Sequence, residues 1–123
     1  MNVLLIEPDK ILVNSYISAL EQKNIDTQVC TDAQTAIEML DNNKPDAIIM
    51  EILLSPLSGV AFLNELRSYE DFIDIPVIIN SSVPVENFDI DIKQWQRLGV
   101  IKYFYKARNG PKQLASFISG LKK

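Results

Sequence analysis

Four polar side chains that could act together follow apolar runs along the chain. Glu7, Glu51, Ser81 and Lys106 each stand at or just beyond the end of a predicted strand. In a doubly wound sheet of parallel strands, ligands bind outside the carboxyl ends of the strands, at the point where the strand order reverses. Two carboxylates, a hydroxyl and an ammonium are therefore expected to meet in one small pocket.

Histidine is absent from the chain, and this excludes several kinds of chemistry. A histidine-based triad, a histidine metal site and a phosphohistidine relay all need an imidazole. The single cysteine, Cys30, cannot form an internal disulfide, and we expect it to be a small buried apolar residue. A free thiol is typical of a reducing compartment, and the first residues lack the basic start and cleavage site of a signal peptide. We therefore predict a cytoplasmic protein.

The charge of the chain is unevenly distributed. Its total of −4 argues against nucleic acid as the main partner. Residues 1–83 carry 4 basic and 13 acidic side chains, whereas residues 84–123 carry 8 basic and 3 acidic ones. This asymmetry indicates either an acidic partner surface or a polarised fold with solvated helix faces. No apolar run approaches the roughly 20 residues of a membrane helix, so no membrane contact is expected.

Five short apolar runs alternate with segments of helical period. The runs are Val3–Ile6, Thr27–Cys30, Ala47–Met50, Pro76–Ile79 and Val100–Phe104. The first, third and fourth are apolar on both faces, which is typical of strands covered by helices on each side of a parallel sheet. The second and fifth carry polar positions, which favours the two edges of the sheet.

The segments between these runs predict five helices. Thr31–Gln34 has the spacing of a capping box, and Gly110–Pro111 places a proline at the start of the last helix. Asp89–Leu98 is interpreted as the fourth helix, although its first residues alternate as in a strand. No linker or repeat interrupts the chain. We predict one α/β domain over residues 1–123, a doubly wound parallel (βα)₅ sheet in the flavodoxin-like order 2-1-3-4-5.

Five segments in this order resemble a known family, the receiver domains of bacterial two-component response regulators. The matching segments are Pro45–Ile52 around the acceptor position Glu51, Gly59, Ile75–Ile78 with Ser81, Leu98–Val100, and Tyr103 with Lys106. The resemblance implies a strand-1 acidic pair that binds Mg²⁺ and a strand-3 aspartate that attacks a phosphoryl donor. It also implies that Ser81 and Lys106 occupy phosphoryl-contact positions and that Tyr103 occupies the position of a switch aromatic.

The chain departs from this family at three positions. The phosphoacceptor position is Glu51 rather than aspartate, and Pro8 replaces the second acid of the strand-1 pair Glu7-Pro8. Ala107 stands where the family has a cis proline, so we expect a trans peptide bond there. Asp9 is expected to cap the first helix rather than to replace the missing acid. The sequence thus predicts no catalytic residue, no cofactor, and Mg²⁺ binding that is weak or lost.

Glu51 permits two interpretations. Its longer side chain could pair with Lys106 and hydrogen-bond Ser81, and so hold an active-like state without phosphate. Alternatively, Glu7 and Glu51 simply balance the charge of Lys106 in a pocket that has lost its role. A carboxylate lacks the −2 charge and the three acceptor oxygens of a phosphoryl group, so mimicry is often incomplete.

These observations predict a phosphorylation-independent pseudo-receiver rather than an enzyme. It would bind a protein partner through the face of the fourth helix, fifth strand and fifth helix, with Lys102, Tyr103, Arg108 and Lys112. The alternative is a working phosphoacceptor receiver with an atypical acidic site. A small-molecule binder is less favoured, because no glycine-rich phosphate loop follows the first strand.

Overall fold

The computed structural model describes residues 1–121, so the last two residues of the predicted domain, Lys122 and Lys123, lie outside the described residues. Strands and helices alternate along the chain. The strands are β1 (Asn2–Ile6), β2 (Asp26–Cys30), β3 (Ala47–Met50), β4 (Val77–Ser81) and β5 (Val100–Tyr105). The helices are α1 (Lys10–Glu21), α2 (Ala33–Asn42), α3 (Gly59–Leu66), α4 (Ile92–Arg97) and α5 (Pro111–Ser119), with 3₁₀ turns at Glu70–Phe72 and Val85–Asn87.

The five strands form one parallel sheet in the order β2-β1-β3-β4-β5. This confirms the predicted flavodoxin-like order and the placement of the second and fifth strands at the edges. The order reverses between β1 and β3, so the carboxyl ends of those strands flank the crevice in which such folds bind ligands. No helix in residues 1–121 has the length and apolarity needed to cross a membrane.

Two apolar layers cover the sheet. Alternate residues of the central strands pack under α2, α3 and α4 on one face and under α1 and α5 on the other. β3 and β4 are buried along their whole length, which is why their apolar runs do not alternate with polar residues. The layers hold the strand ends rigidly enough to position polar groups beyond them.

A bulge in β5 determines which way its side chains point. Val77 pairs with Val100, but Ile78 pairs with Lys102, so Ile101 has no partner in β4. The extra residue shifts the alternation of the strand, and Val100 and Tyr103 therefore both pack on the side of α2, α3 and α4. The sequence pattern did not predict this bulge.

Two helix starts differ from the sequence predictions. α2 is capped by Asp32 rather than by a Thr31–Gln34 capping box, because the Asp32 carboxylate accepts from both the amide and the hydroxyl of Thr35. The fourth helix begins at Ile92 rather than Asp89, because Asp91 forms a capping box with Gln94. Aspartate is among the strongest N-cap residues, so α2 begins directly after Asp32 and α4 directly after Asp91.

Arg67, directly after α3, hydrogen-bonds both the segment before β4 and the turn before β5. Its guanidinium donates to the carbonyl oxygens of Leu98, Phe72, Ile73 and Ile75 at 2.7–3.0 Å. Gly99 follows this contact with φ +81°, and a Cβ there would overlap the guanidinium. The turn into β5 therefore depends on an arginine and a glycine that meet at close range.

We predict that Arg67→Met lowers the free energy of unfolding by about 3 kcal/mol, because four carbonyl groups lose a charged donor. Urea unfolding followed by circular dichroism measures the loss. The matched control is Arg97→Met, which removes an exposed guanidinium from α4 and should change stability by less than about 0.5 kcal/mol. Equal stabilities of the two variants would contradict this assignment.

Candidate functional site

Glu7 lies directly beyond β1 and is almost completely buried, with 1% of its surface exposed. Its amide donates to the carbonyl of Cys30, which extends the strand pairing by one residue and fixes the backbone. One carboxylate oxygen lies 2.6 Å from Lys106 Nζ, and the other accepts from the amide of Asp9 at 3.0 Å. Both oxygens of this buried carboxylate therefore have partners.

Glu51 lies beyond β3 and accepts five hydrogen bonds. Its Oε2 accepts from Ser81 Oγ at 2.6 Å and from the amide of Leu53 at 3.0 Å. Its Oε1 accepts from Lys106 Nζ at 3.0 Å and from the amide and hydroxyl of Ser82 at 3.0 and 3.2 Å. A carboxylate offers about four lone-pair sites. The hydrogen-bonding capacity of Glu51 is thus filled by the protein itself.

Lys106 links the two acidic side chains. Its amide donates to Ser81, which continues the pairing of β4 and β5 by one residue, and its Nζ bonds both Glu7 and Glu51. The structure thus brings together the four side chains that the strand-end rule selected. Burial alone would lower the pKa of Lys106, but the hydrogen bonds and negative charges of Glu7 and Glu51 raise it. The ammonium remains charged well into the alkaline range.

The pKa of Glu51 moves in the opposite direction. Burial alone would raise it, but the hydrogen bonds from Ser81, Leu53 and Ser82, together with the charge of Lys106, lower it below the ordinary value of a glutamate. Glu51 is therefore an anion whose charge is stabilised by fixed donors rather than by water.

The side chains of Pro8 and Asp9 do not reach the centre of the pocket, although the main-chain amide of Asp9 donates to Glu7. Pro8 is exposed, and its side chain has no atom that could ligate a cation. The Asp9 carboxylate accepts from the amides of Ile11 and Leu12 at the start of α1, so the predicted helix cap is confirmed. The acidic pair expected beyond the first strand is reduced to Glu7 in the pocket and a cap outside it.

Tyr103 connects the pocket with the surface between α4 and β5. Ser81 Oγ, which donates to Glu51, also accepts from the amide of Val83 at 3.0 Å. The Val83 carbonyl in turn accepts from the Tyr103 hydroxyl at 2.5 Å, and the Tyr103 ring packs edge-on against Trp95, 5.8 Å between ring centres. Burial raises the pKa of Tyr103, so its hydroxyl stays a donor at neutral pH. A continuous set of contacts therefore runs from Glu51 to Trp95.

The residues of the predicted partner face do not form one cluster. Lys102 lies over the rings of Phe104 and Phe117, whereas Tyr103 turns towards α4. Arg108 stacks on the ring of Tyr105, and Lys112 borders a groove between α5 and α1. Lys102 and Tyr103 share a largely apolar groove of about 440 Å³ between α4 and β5, which Arg108 and Lys112 do not line.

Sequence reasoning missed the main-chain donors of the pocket. The amides of Leu53, Ser82 and Val83 carry no side-chain signal, and only the neighbouring Ser81-Ser82 pair pointed to this loop.

The prediction for Cys30 is confirmed: it is buried, and burial raises the pKa of its thiol to about 12, with the Asp32 charge adding to the rise.

Comparison with known proteins identifies the family of this chain. The family model for the response regulator receiver domain matches residues 3–117. The chain belongs to this family. The receiver domain of the Francisella response regulator 1452 is 26% identical, with a TM-score of 0.79 over 99% of this chain and 98% of that one. The chemotaxis response regulator CheY4 of Vibrio cholerae has the same fold, with a TM-score of 0.82 at 13% identity over 97% of this chain and 96% of that one.

A curated relative is longer than this chain. Response regulator MprA of Mycobacterium sp. (strain KMS) is 24% identical over 79 residues, which is 64% of this chain and 34% of that protein. The matched segment is thus about a third of the relative. Receiver domains are signalling modules of two-component systems.

Among the described residues the only cis peptide bond joins Ser55 to Pro56, so the bond between Lys106 and Ala107 is trans, as expected.

The pocket does not fit the Mg²⁺ ion that receiver domains usually bind. Mg²⁺ needs carboxylate oxygens with free lone pairs and an octahedral arrangement of ligands. Here Glu51 already accepts five hydrogen bonds, Pro8 offers no ligand, and Lys106 places a positive charge against both Glu7 and Glu51. Within residues 1–121 no group of three or more acidic, histidine or cysteine side chains is arranged to hold a metal.

The two shifted pKa values predict the pH range over which the charge cluster stabilises the fold. Because the folded pKa of Glu51 is lowered, its contribution is present above the unfolded value of about 4.3 and is lost as the pH falls through the folded pKa. Because the folded pKa of Lys106 is raised, its contribution is present below about 10.4 and is lost as the pH rises through the folded pKa. Glu51→Gln should therefore cost about 3 kcal/mol at pH 7 and progressively less as the pH falls below about 4.3.

Urea midpoints measured across this range test the prediction. Glu38→Gln, which neutralises an exposed glutamate on α2, is the control and should change stability little at any pH. A cost of Glu51→Gln that is the same at pH 3 and pH 7 would show that the charge of Glu51 is not responsible.

Proposed function

We propose that the chain is a pseudo-receiver that signals by binding a protein partner and does so without being phosphorylated. The observation that supports this is the complete hydrogen bonding of the Glu51 carboxylate. Ser81 and Lys106 occupy the positions that contact the phosphoryl group in receiver domains, and both already bond Glu51. The groups that would receive a phosphoryl group are thus engaged by the protein's own side chain.

The same contacts argue against phosphoryl transfer to Glu51. Attack on a phosphoryl donor needs a free carboxylate lone pair in line with the leaving group and a cation that neutralises the developing charge. Glu51 carries its carboxylate one methylene farther out than aspartate, and a misplacement of about 1 Å can cost about 10²-fold in rate. Its lone pairs are directed at five donors, so attack would first require several hydrogen bonds to break.

Contacts beyond Glu51 favour the interpretation in which it maintains one state of the domain. The hydrogen bond from Ser81 fixes the loop at Val83, and Val83 holds the hydroxyl of Tyr103. Tyr103 is thereby turned towards Trp95 without any phosphate. In this proposal Glu51 keeps the partner surface in a permanent, active-like arrangement.

The groove between α4 and β5 is the proposed centre of the partner surface. It is lined by Val85, Ile90, Ile92, Trp95, Val100, Ile101, Lys102 and Tyr103. Ile92 is 72% and Ile101 49% exposed, and exposed apolar side chains around a groove are typical of protein-binding surfaces. Arg108 lies outside the groove and Lys112 faces α1, so both are expected to contribute less than Lys102 and Tyr103.

A non-enzymatic role in the cytoplasm completes the proposal. Ser81 has a carboxylate beside its hydroxyl, but it is fully buried, so no substrate can reach it. Nucleic acid and membranes are not proposed as partners, because the chain is acidic overall. The free thiol of Cys30 is compatible with a reducing compartment.

The alternative is a working phosphoacceptor, which the retained positions of Ser81 and Lys106 favour.

We predict that incubation with acetyl phosphate and Mg²⁺ adds no phosphoryl mass to the unaltered chain and leaves Trp95 fluorescence unchanged. Pro8→Asp combined with Glu51→Asp restores the missing acid and shortens the acceptor, so this variant should bind Mg²⁺ and become labelled.

Intact-mass spectrometry and fluorescence measure both outcomes. The matched control is Glu51→Asp combined with Pro8→Ala, which has the shorter acceptor but not the second acid. Stoichiometric labelling of the unaltered chain at Glu51 would establish the alternative. A double variant that gains no Mg²⁺ affinity would contradict the proposed effect of the substitutions at these two positions.

A further inference from the structure

The turn between β5 and α5 contains an asparagine that is followed directly by a glycine, Asn109-Gly110. It is the only such pair in the sequence, because every other asparagine precedes a residue that has a side chain. Glycine has no Cβ to hinder contact between its backbone nitrogen and the side chain before it. The side-chain amide of Asn109 is therefore the one most open to attack by the main chain.

Both residues of this pair have room to move. Asn109 is bonded through its main-chain amide, which donates to the carbonyl of Tyr105 at 3.0 Å, whereas its side chain makes no hydrogen bond with the rest of residues 1–121. Gly110 is exposed, and a Cβ added there would meet no atom within 4 Å. The Asn109 side chain can therefore rotate against the Gly110 nitrogen without displacing a neighbour.

The chemistry open to such a pair is intramolecular deamidation. The Gly110 nitrogen gives up its proton to solvent and attacks Cγ of Asn109, and the new C–N bond closes a five-membered imide ring. The bond between Cγ and the side-chain nitrogen breaks, and that nitrogen takes up a proton and leaves as ammonia. Water then opens the ring at either carbonyl carbon, which yields aspartate or isoaspartate. One water molecule is consumed for each ammonia released, and because the reacting groups belong to one chain no other reactant is needed.

Positive charge surrounds the pair and favours this reaction. α5 begins at Pro111, so the positive end of its helix dipole lies beside Gly110. Arg108 precedes the pair and Lys112 follows it, and the first turn of α5 has no acidic side chain. Nearby positive charge stabilises an anion, so it favours both the deprotonated nitrogen and the carboxylate that is formed.

One hydrogen bond opposes the reaction. The Gly110 amide donates to Oε1 of Gln113 at 2.7 Å, across the exposed start of α5. An amide held in this way loses its proton to solvent only while the hydrogen bond is open. The Gln113 side chain therefore slows the step in which the Gly110 nitrogen becomes a nucleophile.

We infer that Asn109 is a site of spontaneous deamidation by the Gly110 nitrogen and that the Gln113 side chain limits its rate. The modification adds one negative charge between Arg108 and Lys112, two residues of the predicted partner face, and isoaspartate also adds one main-chain carbon just before α5. The inference goes beyond the proposed function and does not depend on it, since no partner, phosphoryl group or metal takes part.

The test is incubation of the full, folded chain at mildly alkaline pH in water enriched in ¹⁸O. Intact-mass spectrometry follows the conversion, and proteolytic mapping locates it and separates aspartate from isoaspartate. We expect both products at residue 109, each with one heavy oxygen, before any other asparagine is converted. Isoelectric focusing should show one added negative charge.

Three variants test the roles of the neighbouring residues. Gln113→Ala removes the acceptor of the Gly110 amide and should speed the conversion about fivefold, the factor that corresponds to one exposed hydrogen bond. The matched control is Gln34→Ala, which shortens an exposed glutamine in the first turn of α2 and should leave the rate unchanged. Gly110→Ala should slow the conversion strongly, because its methyl group hinders ring closure while the open space around it allows the fold to persist. Melting temperatures verify that each variant is folded.

Several results would overturn the inference. One is an Asn109 side chain that stays unconverted in both the unaltered chain and the Gln113→Ala variant. Another is earlier conversion of a different asparagine, and a third is a rate that Gly110→Ala does not lower. Equal rates in Gln113→Ala and Gln34→Ala would reject the role of Gln113.

Discussion

The interaction on which the site depends is the buried cluster in which one ammonium, that of Lys106, bonds two carboxylates. Taking any of these charges out of water alone would cost several kcal/mol, so each is tolerated only because the others are within hydrogen-bonding distance. The parallel sheet makes this possible, since the carboxyl ends of β1, β3, β4 and β5 lie along one edge and need only one residue each to bring the groups together. The hydrogen bonds from Ser81, Ser82 and Leu53 then fix the orientation of Glu51.

The bulge in β5 connects the buried charge cluster with the surface groove beside α4. Without the bulge at Ile101, Tyr103 would point to the side of α1 and α5, away from Trp95 and the groove beside α4. With the bulge, the hydroxyl of Tyr103 reaches the loop that Ser81 holds in place. In this chain the Glu51 carboxylate bonds Ser81, and Ser81 in turn bonds the amide of Val83 in this loop. The proposed adaptor role therefore rests on this packing as well as on the hydrogen bonding of Glu51.

Much of this arrangement could be predicted from the sequence, because it follows from local periodicity and from a rule about strand ends. Apolar runs indicated the strands. Glu7, Glu51 and Lys106 directly follow three of them, and Ser81 is the last residue of β4. Hydrogen bonds from main-chain amides could not be predicted, because the side chain of Leu53 gives no sign that its amide donates to Glu51. The bulge and the direction of Lys112 depend on tertiary packing, which no local pattern indicates. The start of α4 was predicted wrongly because two local signals compete there, and the capping box of Asp91 and Gln94 decides it.

The most direct test of the central claim is nuclear magnetic resonance of the amides that donate to Glu51. Spectra of ¹⁵N-labelled protein would be recorded while Mg²⁺ and beryllofluoride, a mimic of the phosphoryl group, are added to saturating concentrations. If the Glu51 carboxylate occupies these donors permanently, the amide resonances of Leu53 and Ser82 will not move beyond the changes seen with salt alone. A saturable shift of both resonances would show that the donors are available to a phosphoryl group, and would contradict the claim that Glu51 occupies them permanently.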